Sequence, residues 1–424
     1  MIKTLNRPLA VATAGMLCLL NVLPAQAASS AAEIEQLKQQ VQQLMQQNQQ
    51  LSQRISEMEK NVQAQPAADR AVSEEEQVRH KSMIEAEVAR QVKEKSGGPN
   101  INEFVSLSGS IEGDYKLGKD FQKDHSSEFV LDTVELIMDV KVTDWATGKI
   151  VIDYDGDDED RFYLDEAHIT LGKTEEFPFF LTGGKIFAPF GDFSTNMIQD
   201  PLTQTLGEIN PKGVIAGYEQ NGITATVFSY NGMNENSDPA DDDNDSINGF
   251  GASLAYSYEQ EDRGVNAGVA WVNNIADSST ITDFLEDASV FSVTDQVPGL
   301  SLNLGGKYRA FSLITEYITA LDSFDAAEIA FGANGAEPAA WNSELAYTTA
   351  ILDKETVFAL GYQKTWEALA LELPEHRYMA ATSMHIFDGT TVSLEYYIDE
   401  DYAVADGGTD EDGYGFTTRL TYEF

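Results

Sequence analysis

DGYGFTTRLTYEF, residues 412–424, places Tyr414, Phe416, Leu420, Tyr422 and Phe424 on one parity and Gly413, Gly415, Thr417, Arg419, Thr421 and Glu423 on the other. Side chains of a strand alternate between two faces, so this segment has one apolar and one polar face. In a soluble sandwich the apolar face meets a core. In a membrane barrel it meets lipid, and the polar face lines a lumen. The rest of the chain separates these readings.

Working backward to Phe104, period 2 persists. VSLSGSIEGDYKL (105–117) sets Val105, Leu107, Ile111, Tyr115 and Leu117 against Glu112, Asp114 and Lys116. FGASLAYSYE (250–259) and TVSLEYYID (391–399) repeat the pattern. The alternation predicts strands at 104–117, 129–143, 148–155, 161–172, 179–187, 212–219, 222–230 and 249–259, then 264–274, 300–308, 311–320, 340–351, 355–366, 376–387, 390–399 and 412–424. Sixteen is an even number, and short turns such as QNG (220–222) and DG (388–389) alternate with long connections such as 231–248, 275–299 and 321–339. The fold class is therefore all-β: a 16-stranded antiparallel transmembrane β-barrel over 101–424 with both ends on the periplasmic side. Glu112, Asp114, His168, Arg377, His385, Glu395 and Arg419 fall on the polar faces and are expected to be lumen-facing. A wet lumen accepts such charges; a soluble core does not. Trp145, Tyr163, Trp271, Trp366, Tyr414 and Phe424 fit interfacial girdles. A sandwich or propeller is the competing all-β reading, and no repeat of blade length is visible.

Composition agrees. The 424 residues hold 27 Lys+Arg against 70 Asp+Glu, a net charge of −43, which excludes a nucleic-acid partner. Residues 1–27 read as a signal peptide: Lys3 and Arg7, an apolar run, then Ala25-Gln26-Ala27. The single cysteine, Cys18, falls within it. Over 28–66 a heptad places Ile34, Val41, Asn48, Ile55 and Val62 at one core position and Leu37, Leu44, Leu51 and Met58 at the other. This predicts a periplasmic coiled-coil helix that self-associates as a dimer or trimer. Residues 67–100 read as a short helix and a linker ending at Gly97-Gly98-Pro99.

The chemistry-bearing candidates lie between strands. The connection 183–213 is long and Pro-rich, with three phenylalanines and both charge signs. Folded into the lumen, it would bring Lys185, Asp192, Asp200, Glu208 and Lys212 to a constriction, where rings of charge set ion selectivity. The acidic runs DYDGDDED (153–160) and DPADDDND (238–245) lack the glycine and glutamate spacing of a helix-loop-helix calcium site. The five histidines form no metal motif, and no nucleophile elbow or phosphate-cradling loop occurs. The reading is of no enzyme, no cofactor and no metal.

Signal peptide, Gln-rich coiled coil, YDGDDEDRFYLDEAHITLG (154–172) and GKIFAPFGDFSTNMIQDPLTQTLGE (184–208) together resemble the LbtU-like, legiobactin-uptake type, siderophore porin family. The resemblance covers essentially the whole mature chain and implies passive uptake of small solutes, with a ferric siderophore as substrate. A general or cation-preferring porin is the alternative. So is a structural tether in which the rod reaches the cell wall and the barrel anchors it in outer-membrane lipid.

The last strand supplies a direct test of the parity. Leu420→Arg is expected to destabilise the barrel, by up to about 2–4 kcal/mol if the side chain sits at mid-depth in lipid, whereas Thr421→Arg is mild. Urea unfolding midpoints of the two variants in lipid vesicles check this; equal losses would refute the assignment of faces.

Overall fold

The structure, a computed structural model, describes residues 104–156, 161–235 and 246–424. The expected signal peptide, coiled coil and linker lie outside these residues, as do 238–245 and the end of the first acidic run.

Sixteen antiparallel strands close into one barrel in chain order. They are β1 (Val105–Lys119), β2 (His125–Thr143), β3 (Ala146–Asp155), β4 (Arg161–Lys173), β5 (Phe177–Lys185), β6 (Lys212–Gln220), β7 (Ile223–Asn231) and β8 (Ile247–Gln260). The second half comprises β9 (Arg263–Val272), β10 (Gly299–Tyr308), β11 (Phe311–Ala320), β12 (Ala339–Ile351), β13 (Lys354–Trp366), β14 (His376–Phe387), β15 (Thr390–Glu400) and β16 (Asp412–Glu423). The ladder closes where β1 meets β16, with Asp114 opposite Arg419. Gly109 and Phe424 exchange backbone hydrogen bonds of 3.1 and 3.0 Å at this seam. The ladder thus runs strand to strand around the whole barrel without an open edge, the condition for crossing a bilayer with strands.

Connections at one end are tight. Asn221-Gly222 takes positive φ at both residues, which matches the right-handed twist of its flanking strands. Leu352-Asp353 adopts the same conformation without glycine. The outer face is apolar: Phe129, Ile169, Val227, Leu360 and Leu420 are each at least half exposed. A soluble protein leaves no belt of this extent open to water, whereas lipid requires it. Of the expected girdle residues, Tyr163 departs. Its hydroxyl donates to Asp153 at 3.3 Å inside the barrel, because Phe162 and Leu164 occupy the outward positions of that strand.

At the opposite end the long connections are not separate external loops. Residues 186–211 turn into the barrel and carry α1 (Leu202–Gly207). Residues 273–298 carry α2 (Ser279–Asp287), whose Ile281 and Leu285 share one face at helical spacing. Phe190, Leu202, Leu206 and Ile209 of the first connection pack with Ile275, Ile281 and Leu285 of the second, and with Phe324, Ile329, Leu371 and Leu373 of the later ones. The backbone joins them too: Ser279 N donates to Glu208 O at 2.9 Å and Leu321 N to Pro298 O at 2.8 Å. This is a second apolar core, built from loops, that roofs the barrel on the side of β6–β13.

Asp277 sits within this cap. Its Oδ1 accepts from Met233 N at 2.6 Å and from Asn274 Nδ2 at 3.3 Å, while burial pushes its carboxyl up to about 6. A raised carboxylate favours the protonated fold, so the stabilisation is fully present below about pH 4 and is lost as pH rises through about 6. Hydrogen exchange across 275–287, corrected for the intrinsic rate, should therefore lose protection by up to roughly a hundredfold between those pH values. Asp277→Asn keeps the acceptor for Met233 and should flatten the profile.

Candidate pore and constriction

The inward-folded connection, 186–211, is held by the barrel wall through its own backbone. Ile186 N and Ala188 N pair with Pro211 O and Ile209 O, extending β5 and β6 into the lumen. Beyond this the loop has no sheet partner, and each N–H needs an acceptor. Wall carboxylates supply them. Glu316 of β11 accepts from Asp192 N at 2.7 Å and Phe193 N at 3.2 Å, and from Thr203 Oγ1 at 3.0 Å. Glu344 of β12 accepts from Asn196 N at 2.8 Å and Thr195 Oγ1 at 2.7 Å. Glu395 of β15 accepts from Ile198 N at 2.5 Å and Gln199 N at 3.3 Å. Gln363 of β13 completes the series with Leu202 N at 3.0 Å. The three glutamates are 3, 1 and 1 % exposed. They lie on the polar parity, yet the loop amides, not bulk water, solvate them.

The loop therefore follows the wall of β11–β15 and leaves space on the opposite side. That space is a cavity of about 480 Å³ bounded by the loop and by β1–β4 and β16. Asp132, Asp153 and Asp165 line it from the wall, Asp200 and Glu208 from the loop, and Lys116 and Arg419 are its cations. Both cations are engaged. Arg419 donates through Nε and Nη2 to Asp114 at 2.9 and 2.8 Å, through Nη1 to Glu112 at 2.5 Å, and also to Asp132. Lys116 Nζ donates to Asp132 Oδ1 at 2.7 Å. The seam between β1 and β16 is thus crossed by an ion cluster facing the lumen. Burial pushes the Glu208 carboxyl up, against a hydrogen bond from Gln204.

The residues singled out in the sequence fall in different places. Asp200, Glu208 and Arg419 line the cavity, and Glu112 and Asp114 bind Arg419 behind it. Asp192 is across the lumen, accepting from Asn266 Nδ2 at 2.8 Å. Lys185 and Lys212 are opposite one another in register at the base of the loop, and Lys185 Nζ donates to Leu164 O at 2.7 Å. Arg377 is fixed by Asp399 at 2.7 and 2.8 Å and stacks on Tyr397. His168 lies 3.4 Å from Glu166, and His385 is at the tight-turn end beside Thr391. These residues do not form one cationic surface. Glu316, Glu344, Asp132 and Asp165 escaped the sequence reading. Inward parity marked the first two; the others fall where the apolar parity of their strands breaks, a signal that does not single out the extra residue.

No family model matches the chain. It is 29% identical over 307 residues to a UPF0422 protein of Coxiella burnetii, covering 70% of this chain and 64% of that protein. It is 25% identical over 326 residues to UPF0422 proteins of Legionella pneumophila, covering 72% of this chain and 61% of theirs. The chain thus spans less than two thirds of these relatives. Among solved structures it is similar to Pseudomonas putida OprB, with TM-score 0.54 and 10% identity. It is also similar to an anion-selective porin from Comamonas acidovorans, with 0.52 and 11%, and to the channel DcaP of Acinetobacter baumannii, with 0.50 and 14%. Each alignment covers 76% of this chain and 95, 99 and 97% of those proteins, respectively. The fold is that of an outer-membrane porin. At such identities the likeness is one of architecture, and selectivity has to be argued from this lumen.

The wall carboxylates can be tested by release. Glu344→Ala leaves the Asn196 amide and the Thr195 hydroxyl without their acceptor, at about 1–3 kcal/mol each where water does not enter. Larger, noisier single-channel conductance and faster proteolysis within 192–201 are expected. Glu344→Gln, which keeps an acceptor oxygen, should show less of both.

Proposed function

We propose that the chain is a passive, cation-preferring channel for small solutes in the outer membrane. The observation that carries this reading is the lining of the constriction. Five carboxylates meet two cations, and both cations are already in ion pairs. In a narrow space with low-dielectric walls, such an imbalance concentrates cations and excludes anions. Uptake of a ferric siderophore, the substrate implied by the family resemblance, draws no support from this lining, because an anionic ferric chelate would meet the same field. The heptad over 28–66 supports self-association in the periplasm, and a rod of that kind could also reach the cell wall.

Reversal potentials in planar bilayers across a KCl gradient test the reading. The native channel is expected to prefer K⁺ over Cl⁻, most strongly at low salt, where the screening length is greatest. Replacing Asp200 and Glu208 together by Asn and Gln should reduce the permeability ratio at least about twofold at about 0.1 M salt. Anion preference in the native channel would overturn the proposal and restore the anionic chelate as the better substrate class.

A further inference from the structure

Two interruptions of the barrel ladder fall within strand interiors. Between β1 and β2, Glu112 pairs with Thr133 and Gly113 with Leu131, so Asp132 is an extra residue. Between β3 and β4, Val151 pairs with Glu166 and Ile152 with Leu164, so Asp165 is extra. The remaining register shifts among the described residues lie at strand ends, as between Lys141 and Thr143 or His385 and Phe387. A bulge sets two residues against one and changes which face the following side chains occupy. The exposures follow this change. Phe162 and Leu164 face outward before Asp165, and Ile169 and Leu171 after it, so the outward parity switches from even to odd. Phe129 and Leu131 precede the other bulge on odd positions, and Val134 pairs with outward Ile111 after it. Each bulge adds one carboxylate to the lumen without removing an apolar residue from the lipid face. Both carboxylates line the same cavity.

Their surroundings differ. Asp132 is bound by Lys116 and Arg419, so it cancels basic charge. Asp165 accepts a hydrogen bond from a neutral group, Asn210 Nδ2, at 3.0 Å. The basic groups that act on it are held elsewhere: Lys149 on Glu166 at 2.6 Å and Lys185 on the Leu164 carbonyl. Across the cavity, Asp165 acts on Glu208, which also feels Asp200. We propose that Asp165, inserted into the lumen by its bulge, is a selectivity-determining residue of the channel, supplying wall charge opposite the loop. The inference rests on the cation-channel reading and adds to it the residue on the wall side of the constriction.

Asp165 also tethers the loop through Asn210, so charge and position must be separated. Asp165→Asn should lower the K⁺/Cl⁻ permeability ratio at least twofold at about 0.1 M salt and less at about 1 M, where the Debye length falls from about 10 to about 3 Å. Asn210→Ala removes the tether but keeps the charge, and should leave the ratio within experimental scatter. Deleting residue 165 restores a regular ladder; this variant should retain the heat-dependent mobility shift of a folded barrel and match Asp165→Asn in selectivity. A cation-preferring native channel whose ratio is unchanged in Asp165→Asn would overturn this inference alone. So would an Asn210→Ala channel that loses selectivity as Asp165→Asn does, since displacement of the loop would then be the cause. A native channel preferring Cl⁻ would overturn the functional reading, and this inference with it.

Discussion

The arrangement of the lumen depends on one interaction: buried glutamates of the wall accepting hydrogen bonds from spaced backbone amides within residues 192–199. An irregular segment inside a barrel has no ladder to join, and unmatched amides in a confined space are costly. Carboxylates solve two problems together. They give the loop strong acceptors, and the loop amides give buried charges the solvation they would otherwise lack. The pairs recur at three-residue intervals along the loop, 192/193, 195/196 and 198/199, while their acceptors step along β11, β12 and β15. This stepwise attachment keeps the loop against one wall, so the cavity lies against the other.

The apolar cap has the same origin. Leu202 and Leu206 of α1 turn away from the cavity and pack under the connections beyond β9, β11 and β13. One face of the short helix thus belongs to a core, while Gln204 and the following Glu208 face the water-filled side. The barrel owes its closure to hydrogen bonding and its outer face to lipid. Its loop end owes its order to an ordinary hydrophobic cluster. A single chain accordingly uses two solvents for its apolar residues, and only the second of these clusters resembles the core of a soluble protein.

Charge in the cavity is decided by pairing as much as by number. Arg419 was legible as an inward residue from the parity of 412–424, but the sequence contains nothing to indicate that Glu112, Asp114 and Asp132 would all meet it. Those contacts follow from closure, which brings together positions separated by about three hundred residues. Lys185 and Arg377 tell the same story: each was available as a cation in the sequence, and each is engaged by a local partner once the strands are in register.

The sequence by itself determined the sixteen strands, their order and, outside the bulged β2 and β4, the face that each presents. Strand alternation is a local property, and a bilayer enforces it at every second residue. It also marked residues 183–213 as unlike the other connections, through proline, aromatic and charged residues that a solvated loop does not need. Only the tertiary structure decided which wall the loop follows, which polar-face carboxylates are buried beneath it, and where the two aspartate bulges fall. In FVLDTVEL and FYLDEAHI a bulge shows only as a break in apolar parity, between Leu131 and Val134 and between Leu164 and Ile169, which does not say which residue is the extra one. Its position is fixed by the register of the neighbouring strand and by the demand that Leu131, Leu164 and Ile169 all reach lipid. That demand is non-local, because it is met only when the whole barrel has closed.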